Sequence, residues 1–324
     1  MSTTRRSVLL SAATLFAAAG AAKAAAGDFP ARPIKLIVGG GAGSYPDTIA
    51  RHIAERLSAD IGQQVNVFNM PGTGIAMGAL ARSEADGHTV ALATMAQMVF
   101  APYLYRKPPY EPLKDFVPLG TLMTGPMVVV AHPSAQVNTL QELIAAAKAG
   151  KIDTRFAVPG VAAPPTIVLQ MLMRAVGTQF ETIPFKTGSE ALRSVVAGEP
   201  LFFIDAPSLV APMVRSARLK AIVVTGSERV PLLAATPTLA EVGFPGVPGT
   251  AWIGLAAPAG TPAEAVKRWN EAIARAVASA SMQEFLSQDG SRGLTMSAES
   301  FRSLIAEDQK HWGKVIRETG LALD

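Results

Sequence analysis

The sequence predicts an α/β fold in two domains built on mostly parallel sheets. Three observations carry this reading. Short apolar runs alternate with amphipathic patterns over most of the 324 residues, the alternation that builds α/β layers. A chain of this length suits about two domains. Beyond Pro262 the alternation stops, and the pattern becomes purely helical over 263–278, 282–288 and 298–319. Helices grouped in this way brace the outside of such a fold.

Residues 1–26 are expected to be removed. Arg5 and Arg6 precede an apolar run from Val8 to Ala22, and small residues follow. This is the pattern of a secretory signal, with cleavage expected near Ala24 to Ala26 and export of the remaining chain. The paired arginines also resemble a twin-arginine signal. The apolar run falls short of the roughly 20 residues that span a bilayer. Strands are then predicted at 34–38, 65–68, 89–93, 127–131, 155–158, 181–185, 201–204, 219–224 and 251–256. Ile49, Ile53, Leu57 and Ile61 recur every fourth residue and predict a helix, which Gly62 can close. Helices are also predicted at 140–149 and 166–176. Two proline-rich stretches, Tyr103–Pro118 and Pro231–Pro248, read as crossings between domains. They divide the chain into one lobe of residues 27–126 with 251–324 and a second of 127–250.

Composition narrows the function. The formal net charge is +4, but Arg5, Arg6 and Lys23 fall within the signal, and removing these three leaves +1. No long basic run or basic-aromatic stripe is present, so a nucleic-acid partner is not expected. The chain has no cysteine, which excludes disulfides and thiolate metal sites. No cofactor is expected.

The most informative stretch is Ile37–Arg51, IVGGGAGSYPDTIAR. It joins a predicted strand to a predicted helix, with glycines at 39, 40, 41 and 43. Bare backbone lets main-chain amides approach a ligand, and a helix start favours a carboxylate or phosphate. Ser44 with Asp47 resembles a capping box. A dinucleotide fingerprint fails, because Pro46 stands where its third glycine belongs and the next strand ends in Asn69 rather than an acid. A P-loop lacks its Gly-Lys-Ser/Thr. A nucleophile elbow would need glycine at Ala42 and Pro46. Further loops follow later strands: Asn69–Gly74, Thr94–Gln97 and Pro159–Pro164. Together they read as two facing sets of amide donors. The candidate ligand-binding residues are Gly41, Ala42, Gly43, Ser44, Tyr45, Asp47, Gly72, Thr73, Gly74, Thr94, Gln97, Ala162, Ala163, Thr166 and Asp205. Tyr45 is read either as a lid over the first loop or as packing on the second lobe. Asp205 is read as a cleft residue or as the cap of the helix after it. Lys186 is read as solvated.

No catalytic constellation emerges. His52, His88, His132 and His311 are scattered, and no metal-binding spacing occurs. No catalytic or metal-ligating residue is assigned. The enzymatic alternative is an exported hydrolase with Ser44 as a hidden nucleophile.

At this point the residues carry a resemblance. The chain resembles the extracytoplasmic receptors of tripartite tricarboxylate transporters, also called Bug receptors. The likeness runs through Phe29–Ile34, the glycine loop with Asp47, Asn69–Gly74, Ala85–Thr89, Ile183–Gly188, Pro237–Gly243, Trp252–Leu255, Ala257–Pro262 and His311–Ile316. It implies a two-lobed type II periplasmic binding fold. It also implies a small organic acid held by main-chain amides in the first two loops and delivered to membrane transporter subunits. A monomer is expected, and input to a membrane sensor is the alternative role. Polar residues common in similar proteins are replaced here by Val158, Ala163 and Phe185, and Thr166 stands where histidine is common. A site with fewer polar groups demands fewer of its ligand, so a less polar and even aromatic carboxylate is expected in place of citrate.

Overall fold

The computed structural model describes residues 29–161, 163–247, 249–288 and 290–319. The expected signal sequence and Ala162 lie outside the described residues. Two sheets share no strand and build two lobes. The first holds β1 (Ile34–Val38), β2 (Val65–Asn69), β3 (Thr89–Thr94), β4 (Phe116–Pro126), β10 (Thr250–Pro258) and β11 (Arg292–Gly293), in the order β11-β4-β10-β3-β1-β2. The second holds β5 (Val128–Ala131), β6 (Arg155–Val158), β7 (Glu181–Pro184), β8 (Phe202–Asp205) and β9 (Lys220–Val224), in the order β7-β6-β8-β5-β9.

The helices follow from their apolar spacing. Helix α1 (Tyr45–Ile61) buries Ile49, Ile53, Leu57 and Ile61 on one face. Gly62 ends it in the left-handed region at φ 80°, with its N–H on the Ser58 carbonyl. A β-carbon disfavours that conformation. Next come α2 (Thr73–Ala81), α3 (Ala101–Leu104), α4 (Pro112–Asp115), α5 (Leu140–Lys148), α6 (Pro164–Val176), α7 (Gly188–Val196) and α8 (Pro207–Arg215). The closing set is α9 (Ala263–Ala278), α10 (Ala280–Gln288) and α11 (Ala298–Thr319). Helix α9 seals one face of the first sheet. Its Trp269 is fully buried and donates its indole N–H to the Gly87 carbonyl at 3.0 Å.

Two expectations are corrected. The sheets are mixed rather than mostly parallel. Strands β1, β2 and β3 pair in parallel, but β10 runs antiparallel to β3 and β4, and β5 antiparallel to β8 and β9. The chain leaves the first sheet along β4, builds the second sheet and re-enters along β10, which pairs antiparallel with β4. The Tyr103–Pro118 stretch is not a crossing. It stays in the first lobe as α4 and the start of β4. The sequence reading missed this strand because Pro118, Gly120, Thr121 and Gly125 interrupt its apolar pattern.

The chain passes between sheets at Pro126–Val128 and returns at Gly249–Thr250. Thr225 joins both passages. Its hydroxyl accepts the Met127 N–H at 2.8 Å and donates to the Gly249 carbonyl at 2.5 Å. Before that return, Pro231–Val247 stays with the second sheet through Leu239, whose N–H meets the Val224 carbonyl. The lobes also touch. Ile167 of α6 joins a first-lobe core with Met98, Phe100 and Trp252.

Trp269→Ala should lower stability by about 3–5 kcal/mol. Urea denaturation at neutral pH measures it.

Candidate functional site

The C-terminal ends of β1, β2 and β3 in one lobe and of β6, β7 and β8 in the other meet around a cavity of about 460 Å³. Ligands in open α/β sheets collect outside such strand ends.

The first loop is shaped from below by Asp47, which is 3% exposed. Its Oδ2 accepts the Gly43 N–H at 2.8 Å and Arg51 Nε at 3.1 Å. Its Oδ1 accepts Asn69 Nδ2 at 2.9 Å and lies 3.0 Å from the Arg51 guanidinium. The same Asn69 nitrogen donates to the Gly40 carbonyl, and the Gly72 N–H donates to the Gly39 carbonyl. One carboxylate therefore ties together the first loop, the end of β2 and the first turn of α1. Burial alone would raise this carboxyl. The hydrogen bonds from Arg51, Gly43 and Asn69 and the Arg51 charge outweigh burial and hold it below the usual carboxylate range.

With the loop so held, the Gly40, Gly41 and Ala42 amides have no acceptor among the described residues. Thr73 and Gly74 supply further amides at the start of α2, where helical hydrogen bonding leaves them unpaired. The third loop adds a side chain. Gln97, 3% exposed, lies in a π-helical turn over Ala96–Phe100. Its Oε1 accepts both the Thr94 N–H at 3.1 Å and the Thr94 hydroxyl at 2.9 Å. This orients the amide, so Nε2 faces Gly39, where any β-carbon would collide with it. Tyr110 fixes the turn from behind by donating to the Gln97 carbonyl at 2.7 Å.

The candidate residues separate by position. Gly41, Ser44, Tyr45, Gly72, Thr94, Gln97, Ala163 and Asp205 line the cavity. Asp47 lies beneath the loop, and Gly43 serves it by donating to Asp47. A β-carbon on Gly43 would meet open space, so this glycine answers to its φ of 76° rather than to close approach. Gly74 packs against Pro109 and Tyr105, and Ala42 is exposed in the first loop. Thr166 donates to the Gly160 carbonyl at 2.6 Å, which turns it away from a ligand role. Ala162 lies outside the described residues. Phe185 lines the cavity, whereas Val158 is buried in the second-lobe core. Tyr45 is not a lid. Its hydroxyl lies 3.3 Å from Ser291 Oγ and 3.6 Å from Met123 Sδ, all in the first lobe. The capping box does not form: Asp47 reaches past Ser44 to the Gly43 N–H, the Ser44 N–H donates to the Gly41 carbonyl, and Ser44 Oγ makes no cap.

Sequence reasoning missed the close-approach roles of Gly39 and Gly40, and it missed Trp252 in the cavity wall. Trp252 donates its indole N–H to Asp308 at 2.7 Å and meets Phe301 edge-on. Burial raises the Asp308 carboxyl. The lobes close over the cavity at Gly41, whose missing β-carbon would lie 3.9 Å from Thr187 Cγ2 of the second lobe.

The second lobe presents a different surface. Pro164 and Pro165 open α6 without N–H groups, and the next amides, Thr166 and Ile167, turn to the Ala163 carbonyl. The expected second set of donors is therefore missing at this helix start. Asp205, 7% exposed, accepts the Ala206 N–H at 2.8 Å. Lys186 is exposed. Among the described residues no group of three His, Cys, Asp or Glu side chains is placed to hold a metal ion. No described helix is long and apolar enough to cross a membrane.

Comparison with known proteins places this geometry. The family model described as "Tripartite tricarboxylate transporter family receptor" matches residues 49–321. Protein BugT of Bordetella pertussis is 31% identical over 306 residues, covering 94% of each chain. An R. palustris protein solved with adipate superposes with a TM-score of 0.85 at 27% identity, over 91% of this chain and 99% of that one. MatC from Rhodopseudomonas palustris with bound malate gives a TM-score of 0.80 at 28% identity, over 89% of this chain and all of the other.

Asp47→Ala should unpair the Gly43 N–H and the Asn69 amide. The expected loss is about 1–3 kcal/mol of stability, together with at least tenfold in carboxylate affinity. Because the folded carboxyl lies below its unfolded value, the Asp47 contribution is complete above the ordinary value of 3.8 and disappears as pH falls through the lowered one. Denaturation of both proteins along a pH series should show their stabilities converging in acid.

Proposed function

The chain belongs to the tripartite tricarboxylate transporter receptor family, and on that premise we propose that it captures a small organic carboxylate outside the cytoplasm and hands it to the membrane subunits of such a transporter. Residues 27–126 with 251–324 and residues 127–250 act as two lobes that close over the ligand. Residues 1–26 direct export to the periplasm and are cleaved near Ala24 to Ala26. The observation that carries the reading is the row of unpaired amides at Gly40, Gly41 and Ala42, set between two lobes at strand ends. Such amides hold an anion without titrating, and the helix starts beside them favour negative charge. The relatives solved with adipate and malate support a carboxylate as the anion.

The proposed protein returns its ligand unchanged. Ser44 Oγ is buried without a hydrogen-bond partner among the described residues, so no base is placed to activate it as a nucleophile.

The proposed ligand is less polar than citrate and carries an aromatic or long-chain body. Tyr45, Tyr105, Met123, Phe185, Leu209 and Trp252 all line the cavity. An apolar body gains by burial against such a wall, at about 25 cal/mol per Å² before other costs. A polar substituent left without a partner loses about 1–3 kcal/mol.

An aromatic or long-chain monocarboxylate should therefore bind at least tenfold more tightly than citrate, a difference of about 1.4 kcal/mol. Titration calorimetry on refolded, ligand-stripped protein measures this, and recovery of the ligand chemically intact tests the carrier role. Tighter binding of citrate or malate would overturn the specificity while leaving the receptor assignment in place. Replacing Arg5 and Arg6 with lysine should block export if the twin-arginine route carries the protein. Immunoblotting of the periplasmic fraction reads the result.

A further inference from the structure

Gln97 differs from the other donors of the cavity, because it is a side chain whose orientation the protein fixes. It is 3% exposed and yet lines the cavity. Its Oε1 accepts the Thr94 backbone N–H at 3.1 Å and the Thr94 hydroxyl at 2.9 Å. A backbone N–H can only donate, so the atom that meets it is the amide oxygen. This decides which end of the amide is left over. Nε2 stands beside Gly39, directly after β1, and the hydrogen bonds of this side chain among the described residues all end on Oε1.

The turn that carries Gln97 is held from two distant places. Its π-helical geometry over Ala96–Phe100 is of a kind found mostly at functional sites. Tyr110 donates to the Gln97 carbonyl at 2.7 Å, and Gln309 of α11 donates to the Met98 carbonyl at 2.7 Å.

The first-lobe wall is therefore a set of donors: the amides of Gly40, Gly41, Ala42, Thr73 and Gly74, with Gln97 Nε2. No formal positive charge stands with them. Among the described residues that line the cavity Lys186 is the only cation, and it is exposed and belongs to the second lobe. An anion is selected on the first-lobe wall by the pattern of donors, without a counter-charge. A carboxylate offers an acceptor at each oxygen, whereas a primary carboxamide of the same shape offers one acceptor and one N–H₂ donor. That N–H₂ set against Gln97 Nε2 leaves both groups unpaired, and buried polar groups left unpaired are what let a site reject a near-isostere.

We propose that Gln97 is a specificity-determining residue at the carboxylate end of the ligand. Its Nε2 donates to one carboxylate oxygen while the loop amides hold the other, and it excludes the uncharged carboxamides of the same acids. This rests on the receptor reading above, with the ligand's carboxylate on the first-lobe wall.

Two matched pairs test the proposal: benzoate with benzamide, and hexanoate with hexanamide. Calorimetry on ligand-stripped protein should show the acid binding about thirtyfold or more tighter than its amide, in whichever pair binds better. Gln97→Glu can keep one oxygen on Thr94, whose donors favour the ionised form, and turn the other toward the ligand. It should weaken the acid by about a hundredfold and tighten the amide, so that their order reverses. Gln97→Met, similar in length but without a donor, should weaken the acid about tenfold and leave the amide unchanged. If Gln97→Glu does not fold, as judged by its thermal unfolding midpoint, Gln97→Met decides alone. A Gln97 that only supported the fold would cost both members of a pair equally, and that result would overturn the proposal. An acid preference in Gln97→Met as large as in the wild-type protein would overturn it too. Loss of the acid preference in Lys186→Met would assign the carboxylate to Lys186 instead. Failure of all four probes to bind the wild-type protein would remove the receptor reading along with this inference.

Discussion

The hydrogen bonds to Asp47 are the constraint on which the rest of the site depends. A loop of bare glycine backbone has no side chains to shape it, and ordering it is entropically unfavourable. Asp47 supplies the missing template from below. It gathers Gly43, Asn69 and Arg51, and Asn69 in turn holds the Gly40 carbonyl. The amides that point away from Asp47 are left for a ligand. Arg51 neutralises the carboxylate locally, so the anchor does not cancel the attraction its loop offers to an anion.

Around that anchor the first lobe is built in supporting layers. The C-terminal helix α11 sends Asp308 to the Trp252 indole, and Gln309 donates to the Met98 carbonyl in the π-helical turn that carries Gln97. A helix remote in sequence thereby fixes two parts of the cavity wall. The second lobe is joined through two short passages that Thr225 holds together. This geometry lets the lobes meet at Gly41 and Thr187 while each keeps its own core.

Much of this was legible in the sequence, for identifiable reasons. Buried strands such as Ile34–Val38 and Arg155–Val158 are short apolar runs, and α1 shows its period in Ile49, Ile53, Leu57 and Ile61. The glycine loop could be read as an anion site because its composition has few other uses. Strand β4 escaped because prolines and glycines break its apolar pattern where its register against β10 shifts. The roles of individual loop residues escaped for a different reason. Gly39 and Gly43 look alike in sequence, yet one makes room for Gln97 and the other adopts a left-handed turn above Asp47. Val158 ends β6 and Phe185 follows β7 beside it, yet one is buried in the core and the other reaches the cavity, and that depends on strand pairing that a single sequence does not display.

The central claim is that first-lobe amides hold the ligand's carboxylate. Amide nitrogen and proton chemical shifts, followed through a titration with benzoate, test it most directly. The account predicts the largest changes at Gly40, Gly41, Ala42 and Gly74, with the amide protons moving downfield as they become hydrogen-bonded to the anion. Unmoved resonances at these positions, with the main shifts around Lys186 and Ser189 instead, would contradict it.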